Sequence, residues 1–220
     1  MKTMHILHID CSPREASYSR QLSAAMLARL SAGRADVSVT RRDLGRDPVP
    51  HPEAAYAAAL SSPAALASGQ AGTGTRLSEE LIGEIESADV VLIGTPMNNF
   101  TVPSVLKAWI DHVLRMGRTI GAASDGRKFG LLRDKPVYIG IASGGVFTGE
   151  RAKQPDFMIP YLTAALGCVG LVSLQFLPLQ ATAFAEEARL AADRDSLVAG
   201  MDLAALDPGR ARQAIAGTPR

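Results

Sequence analysis

The stretch Thr95-Pro96-Met97-Asn98-Asn99-Phe100 carries one thioether, two side-chain amides and one aromatic ring, and no ionisable group. Such a set suits gripping a flat, heteroatom-rich ring by stacking and hydrogen bonds. It is not built for acid–base work, which needs a titrating side chain. A second stretch, Asp10-Cys11-Ser12-Pro13-Arg14-Glu15-Ala16-Ser17-Tyr18-Ser19, places serine hydroxyls just ahead of a helical segment. A helix N-terminus offers unpaired N–H groups and the positive end of a dipole, so it can bind phosphate without a lysine. Arg14 is in reach. Taken singly, Ser17 or Ser19 reads equally well as the helix N-cap. The third stretch is Ala142-Ser143-Gly144-Gly145-Val146-Phe147, whose adjacent glycines permit positive φ and a close backbone approach to a ligand. By itself a Gly-Gly pair is as good a plain turn.

Each stretch follows an apolar run of strand length. Met4–Ile9, Asp89–Gly94 and Pro136–Ala142 read as strands, the middle one as a continuous buried run of the parallel kind. Val37–Thr40 and Leu171–Leu177 complete a set of five. Between them, helices are expected over Arg20–Leu30, around the Leu77, Leu81 and Ile85 stripe, over 103–116, over Asp156–Leu166 and over Glu186–Ala199. Helix 103–116 opens on Pro103 and stops at Gly117. At about 100° per residue it gathers Val105, Leu106, Trp109, Ile110, Val113 and Leu114 on one half, with Lys107, Asp111 and Arg115 on the other. That half-cylinder is wider than a sheet-covering stripe needs, so core packing and a subunit contact near Trp109 and Met116 are both open. The alternation implies a parallel sheet, with ligand loops at the carboxyl ends of its strands.

Strand, loop and helix over 89–117 resemble the flavin-binding loop of the FMN-dependent NADH-azoreductases, relatives of the NAD(P)H:quinone oxidoreductases. Ser12-Pro13-Arg14 followed by Ser17-x-Ser19 is similar to that family's first loop, with Cys11 where a serine is frequent. The likeness runs from residue 3 to about 200, is sharpest at 94–117 and weakest over 45–75. It implies one α/β domain over 1–220: a flavodoxin-like, doubly wound, five-stranded parallel sheet of order 2-1-3-4-5, with helices on both faces. It implies FMN as cofactor, held by Ser12, Ser17, Tyr18, Ser19, Pro96, Met97, Asn98, Asn99, Phe100, Ser143, Gly144 and Gly145. The implied reaction is a ping-pong transfer of hydride from NAD(P)H to a quinone or azo compound. No catalytic side chain is expected, because the cofactor does the chemistry. A homodimer with a shared pocket is implied as well. Three departures touch the substrate contacts more than the flavin: Ser143 in place of an arginine, Asn98 in place of an aromatic, and Ala165 in place of a ring. A flavodoxin-like electron carrier and an FMN-free scaffold are the alternatives on this fold. Carriers of that kind are usually acidic, with a Thr/Gly-rich phosphate loop.

Composition narrows the field. The 220 residues carry a formal net charge of +1 with both signs scattered, so nothing favours nucleic acid or an anionic membrane. Two cysteines, Cys11 and Cys168, make a disulfide framework improbable and a reducing cytoplasm the natural setting. A helix N-terminus acidifies a thiol, but free cysteine is more often buried and inert, and Cys11 is read that way. Residues 157–185 lack charge over more than the roughly 20 residues of a membrane helix. Pro160, Gly167, Gly170 and Pro178 interrupt them, so they read as a buried helix, a Gly-Cys-Val-Gly turn and a strand. His5 and His8, three apart on a strand, face opposite ways and make a poor metal pair. Gly72-x-Gly74 reads as a flexible loop, and the tail after Leu206 as frayed.

Overall fold

The computed structural model describes residues 3–61 and 73–206. The tail after Leu206 and the position of Gly72 lie outside them. Five parallel strands form the main sheet: β1 (Met4–Asp10), β2 (Val37–Asp43), β3 (Val90–Pro96), β6 (Val137–Ala142) and β7 (Leu174–Leu179), in the order β2-β1-β3-β6-β7. With strands counted inside this sheet alone, that is the expected 2-1-3-4-5. Successive residues of β1, β3 and β6 enter two separate cores. Leu7, Ile9, Val91, Ile93, Val137, Ile139 and Ile141 pack with α3 (Arg76–Ser87), α4 (Ser104–Val113) and α5 (Met158–Val169). Ile6, Val90, Leu92 and Tyr138 pack with α1 (Tyr18–Ser31) and α6 (Glu187–Ala199). Burial on both faces explains why β3 and β6 are apolar without alternation. Pro178 is tolerated because β7 is an edge strand.

Helix α1 lies close on β3 and β6. A Cβ at Gly94 would stand 2.6 Å from Ser23 Cβ, and one at Gly140 would stand 2.8 Å from Met26 Sδ. The seating aligns the N-terminus of α1 with the ends of the central strands. Ser19, Leu22, Ser23, Met26 and Leu30 form its buried face, and Leu27 is half buried.

Several expected boundaries move. Helix α5 runs through Gly167 to Val169 and ends on Gly170 at φ 104°, so Gly-Cys-Val-Gly is its last turn and not a separate one. Two elements escaped the sequence reading. One is helix α2 (Ala54–Ser61), an alanine-rich segment with strong propensity but no polar face to reveal a period. The other is the hairpin of β4 (Ile120–Ala122) and β5 (Lys128–Gly130), announced by Asp125-Gly126, where Gly126 sits at φ 83°.

Helix α4 ends at Val113, three residues short of the expected 116. The Thr119 hydroxyl donates to the Val113 carbonyl at 2.6 Å and closes its end. Arg115 therefore leaves the expected polar half. It is buried, donates to Ser78 Oγ at 3.0 Å and pairs with Glu79. Of the expected apolar half, Leu106, Trp109, Ile110 and Val113 are covered within one chain, Val105 and Leu114 are half buried, and Met116 just beyond the helix is exposed. The segment after β2 does part of the covering. Tyr56 donates to the Asp111 carbonyl at 3.2 Å and meets the His112 ring edge-on, and His112 Nε2 lies 2.9 Å from the Pro50 carbonyl oxygen. Trp109 itself is interior, and Met116 is the part of the expected contact region that stays exposed.

Because α1 has no clearance over β3, Gly94→Ala should cost about 1–3 kcal/mol by overpacking. Urea unfolding checks it: the midpoint falls while the slope stays constant.

Candidate functional site

Three loops leave the carboxyl ends of adjacent strands β1, β3 and β6. Backbone bonds hold them side by side: Cys11 N–H to the Gly94 carbonyl at 2.9 Å, and Met97 N–H to the Ala142 carbonyl at 2.9 Å. In the first loop Ser12, Ser17 and Ser19 are all buried. Ser17 occupies the N-cap position of α1 with extended backbone, yet its hydroxyl caps nothing. It lies 2.7 Å from Ser19 Oγ instead. Capping therefore does not explain these two serines, and the first N–H groups of the helix keep their donor capacity. Tyr18 behaves differently. Its ring shares a small cavity with Leu179, Glu187 and Leu190 on the α6 side, so its backbone N–H is what it offers the loop. Arg14 is exposed, and its N–H donates to Ser12 Oγ at 3.3 Å.

A cluster of charges underlies this loop. Arg20 donates to the Ser12 carbonyl through Nε at 2.9 Å and grips both oxygens of Asp43, with Nη1 to Oδ2 at 2.8 Å. This fork holds the Asp43 carboxyl below its ordinary range. Asp10, at the end of β1, accepts from Ser23 Oγ at 2.8 Å and lies 3.3 Å from His8 Nε2 and 3.7 Å from Arg20. Burial presses the Asp10 carboxyl upward, but His8, Ser23 and Arg20 outweigh it, and it lies below its ordinary value. Cys11 is fully buried, and burial pushes its thiol far up, so it is not a nucleophile.

The second loop is a tight turn. Asn98 and Thr101 exchange two backbone bonds of 3.0 Å, and Asn99 and Phe100 between them sit at φ 48° and 70°. Two positive φ values in succession mark a primed turn, which asparagine tolerates and phenylalanine resists. The strained turn holds Asn98, Asn99 and Phe100 exposed above half-buried Pro96 and Met97. In the third loop neither Gly144 nor Gly145 uses the positive φ that glycine permits. At 145 the close neighbour is a side chain: a Cβ there would lie 2.3 Å from Gln154 Oε1, so a larger residue would displace that amide. Ser143 is buried, and its hydroxyl points to Met97 Sδ at 3.7 Å.

Residues 4–200 match the family described as having a flavodoxin-like fold. A Pseudomonas fluorescens protein named FMN-dependent NADH:quinone oxidoreductase 4 is 43% identical over 185 residues, 84% of this chain and 87% of that protein. The chain belongs to the FMN-dependent NADH:quinone oxidoreductase family. FMN-dependent NADH:quinone oxidoreductase 2 of Cupriavidus pinatubonensis is 46% identical over 183 residues, covering 83% of this chain and 88% of its own. In fold, the chain is similar to an azoreductase from Bacillus anthracis, with TM-score 0.77 at 22% identity over 90% of this chain and 98% of that one. An FMN-dependent NADH-azoreductase of the same species, solved in complex with FMN, gives 0.76 at 22% identity over 89% and 96%.

Of the oxidoreductase-family positions read from sequence, the structure brings Met97, Ser143 and Gly145 into one cluster. It places Ser12, Ser17 and Ser19 on the neighbouring loop. Four contributors went unread. Gln154 donates to Ser143 Oγ at 3.2 Å and Met97 Sδ at 3.3 Å, so it joins the second and third loops. Gln180 Oε1 accepts from Phe147 and Thr148 N–H at 2.7 and 2.9 Å and fixes the glycine loop from the far side. Nothing in their sequence surroundings marks either glutamine. Arg20 and Asp43 had a signal, since one opens a helix and the other closes a strand. Among the described residues no group of His, Cys, Asp and Glu could hold a metal ion, and no helix is long and apolar enough to cross a membrane.

Proposed function

We propose that this chain binds FMN non-covalently across the three loops, on a doubly wound sheet. With it the chain passes electrons from NAD(P)H to quinones and cleaves aromatic azo compounds reductively. The observation that carries this reading is the buried Ser17–Ser19 hydroxyl pair, which opens a helix of 14 residues without capping it. The donors suit the group. Ser12, Ser17 and Ser19, with the Tyr18 N–H, would hold the phosphate. Pro96, Met97, Asn98, Asn99 and Phe100 would hold the ring, and Ser143, Gly144 and Gly145 its polar edge. FMN, when bound, supplies the hydride-accepting ring that no side chain here provides. The chain's own part is orientation: Met97, clamped by Ser143 and Gln154, stiffens one side, while Asn98, Asn99 and Phe100 stay open to solvent. No titrating group stands in the second loop, so the protein moves no proton from there. One open face serves both substrates in turn. The unpaired Cys11 and Cys168 agree with a reducing cytoplasm.

Ser17→Ala combined with Ser19→Ala should weaken FMN binding by about 2–4 kcal/mol, as two charge-assisted hydrogen bonds are lost. Riboflavin, which lacks the phosphate, should bind as before, and fluorescence titration of both flavins checks the difference. Equal losses would reduce these serines to a structural role. A shared face further predicts ping-pong kinetics, with parallel double-reciprocal lines for NADH at several benzoquinone concentrations; intersecting lines would remove it. Homodimer formation is proposed on the family likeness, with Trp109 interior and Met116 beyond α4 still exposed. Exposed Met116, Phe129, Leu131, Phe157, Val172 and Phe184 are among the apolar side chains available for a contact. Sedimentation equilibrium at micromolar concentration should give about twice the 23.2 kDa chain mass; an active monomer would exclude it.

A further inference from the structure

We propose that Arg20 is a positioning residue for the phosphate-binding loop, acting through the Ser12 carbonyl and not on the phosphate itself. The inference rests on the FMN reading above. An arginine in the first turn of a helix that faces an anion is the obvious ligand for it. Its donors, however, are already engaged by protein. Nε and Nη2 both point at the Ser12 carbonyl oxygen, while Nη1 and Nη2 hold the two oxygens of Asp43. The same carbonyl is confined from its other side. A Cβ at Gly45 would lie 2.1 Å from Ser12 O, and the Gly45 N–H donates to the Asp10 carbonyl at 3.1 Å. The start of the loop is thus gripped between the first turn of α1 and the chain leaving β2.

Stability is a weak reason for such a clamp. The Arg20 and Asp43 side chains are 14% and 30% exposed, and ion pairs reached by solvent contribute only about 0–1 kcal/mol. Geometry is the better reason. A carbonyl bonded to a guanidinium is not free to face an anion, and the loop that carries Ser12 cannot drift from Ser17 and Ser19. Charge points the same way. Asp10 and Asp43 would both repel a phosphate dianion, and Arg20 lies against the two of them. Its charge is spent on these carboxylates, which leaves hydroxyls, N–H groups and the exposed Arg14 as the phosphate donors. Lysine keeps the charge but lacks the fork, so it cannot hold Ser12 and Asp43 together.

The test compares dissociation constants for FMN and for riboflavin, using the flavin-free full chain as wild type, Arg20→Lys and Asp43→Asn. Arg20→Lys should weaken FMN binding by about tenfold, the scale of one charge-assisted bond, with riboflavin binding unchanged. Parallel losses for the two flavins would show a merely structural role and overturn the proposal. Wild-type FMN affinity in Arg20→Lys would show that charge alone matters, and would overturn it too. Asp43→Asn decides the matter if Arg20→Lys does not fold. A positioning Arg20 stays on Ser12, so FMN affinity does not rise. A rise of about tenfold would place the released guanidinium on the phosphate and overturn the inference. Failure of the wild type to bind FMN would instead overturn the proposed function, and this inference with it.

Discussion

Helix α1 rests on the sheet with no room for a side chain at Gly94 or Gly140 beneath it. Most of the candidate site depends on that contact. Because the helix is seated over β3 and β6, its N-terminus opens beside the turn after β3 and the glycine loop after β6. A helix held further off would present the same serines to solvent. The contact also buries Ser19 and Ser23. Burial of hydroxyls is costly unless they are bonded. Ser23 meets that demand through Asp10, and Ser17 and Ser19 through each other.

Around this seat, polar groups are arranged to fix loops more than to stabilise the whole. Arg20, Asp43 and Asp10 bind the first loop to the ends of β1 and β2. Gln154 and Gln180 do the same for the glycine loop. The turn after β3 is held by the paired Asn98–Thr101 backbone bonds of 3.0 Å and by the Phe157 N–H to the Phe100 carbonyl at 3.2 Å, which together offset the strain at Phe100. Each of the three loops is therefore anchored by polar bonds, with Gln154 serving two of them. What they share is that the side chains facing outward do not titrate near neutrality, which suits a site whose chemistry resides in a bound ring.

The far side of the molecule shows a second economy. Helix α4 is apolar over half its circumference, and a single sheet face covers only a stripe. The segment after β2 folds over it, with Val49 in the same core and Tyr56 of α2 bonded to the Asp111 carbonyl. Its composition, rich in Pro, Ala and Ser, hides this role, because small residues carry little hydrophobic signal while still excluding water.

The alternation of apolar runs and helical stripes determined five strands, their parallel sense and the three loops at their ends. Strand periodicity is local, and continuous apolar runs occur where both faces are covered. The residue types in those loops determined the kind of ligand, because amides, hydroxyls and glycine backbone bind without titrating. Tertiary structure alone decided the rest. That Ser17 bonds Ser19 and does not cap its helix, that Gly145 lies against the Gln154 amide, and that Arg115 and Trp109 are interior all depend on the folded arrangement. So does the engagement of Arg20, since its partner Asp43 is brought to it only when β2 pairs with β1. Pairwise contacts of that range leave no periodic trace in a sequence, and only the folded chain can show which donors are already taken.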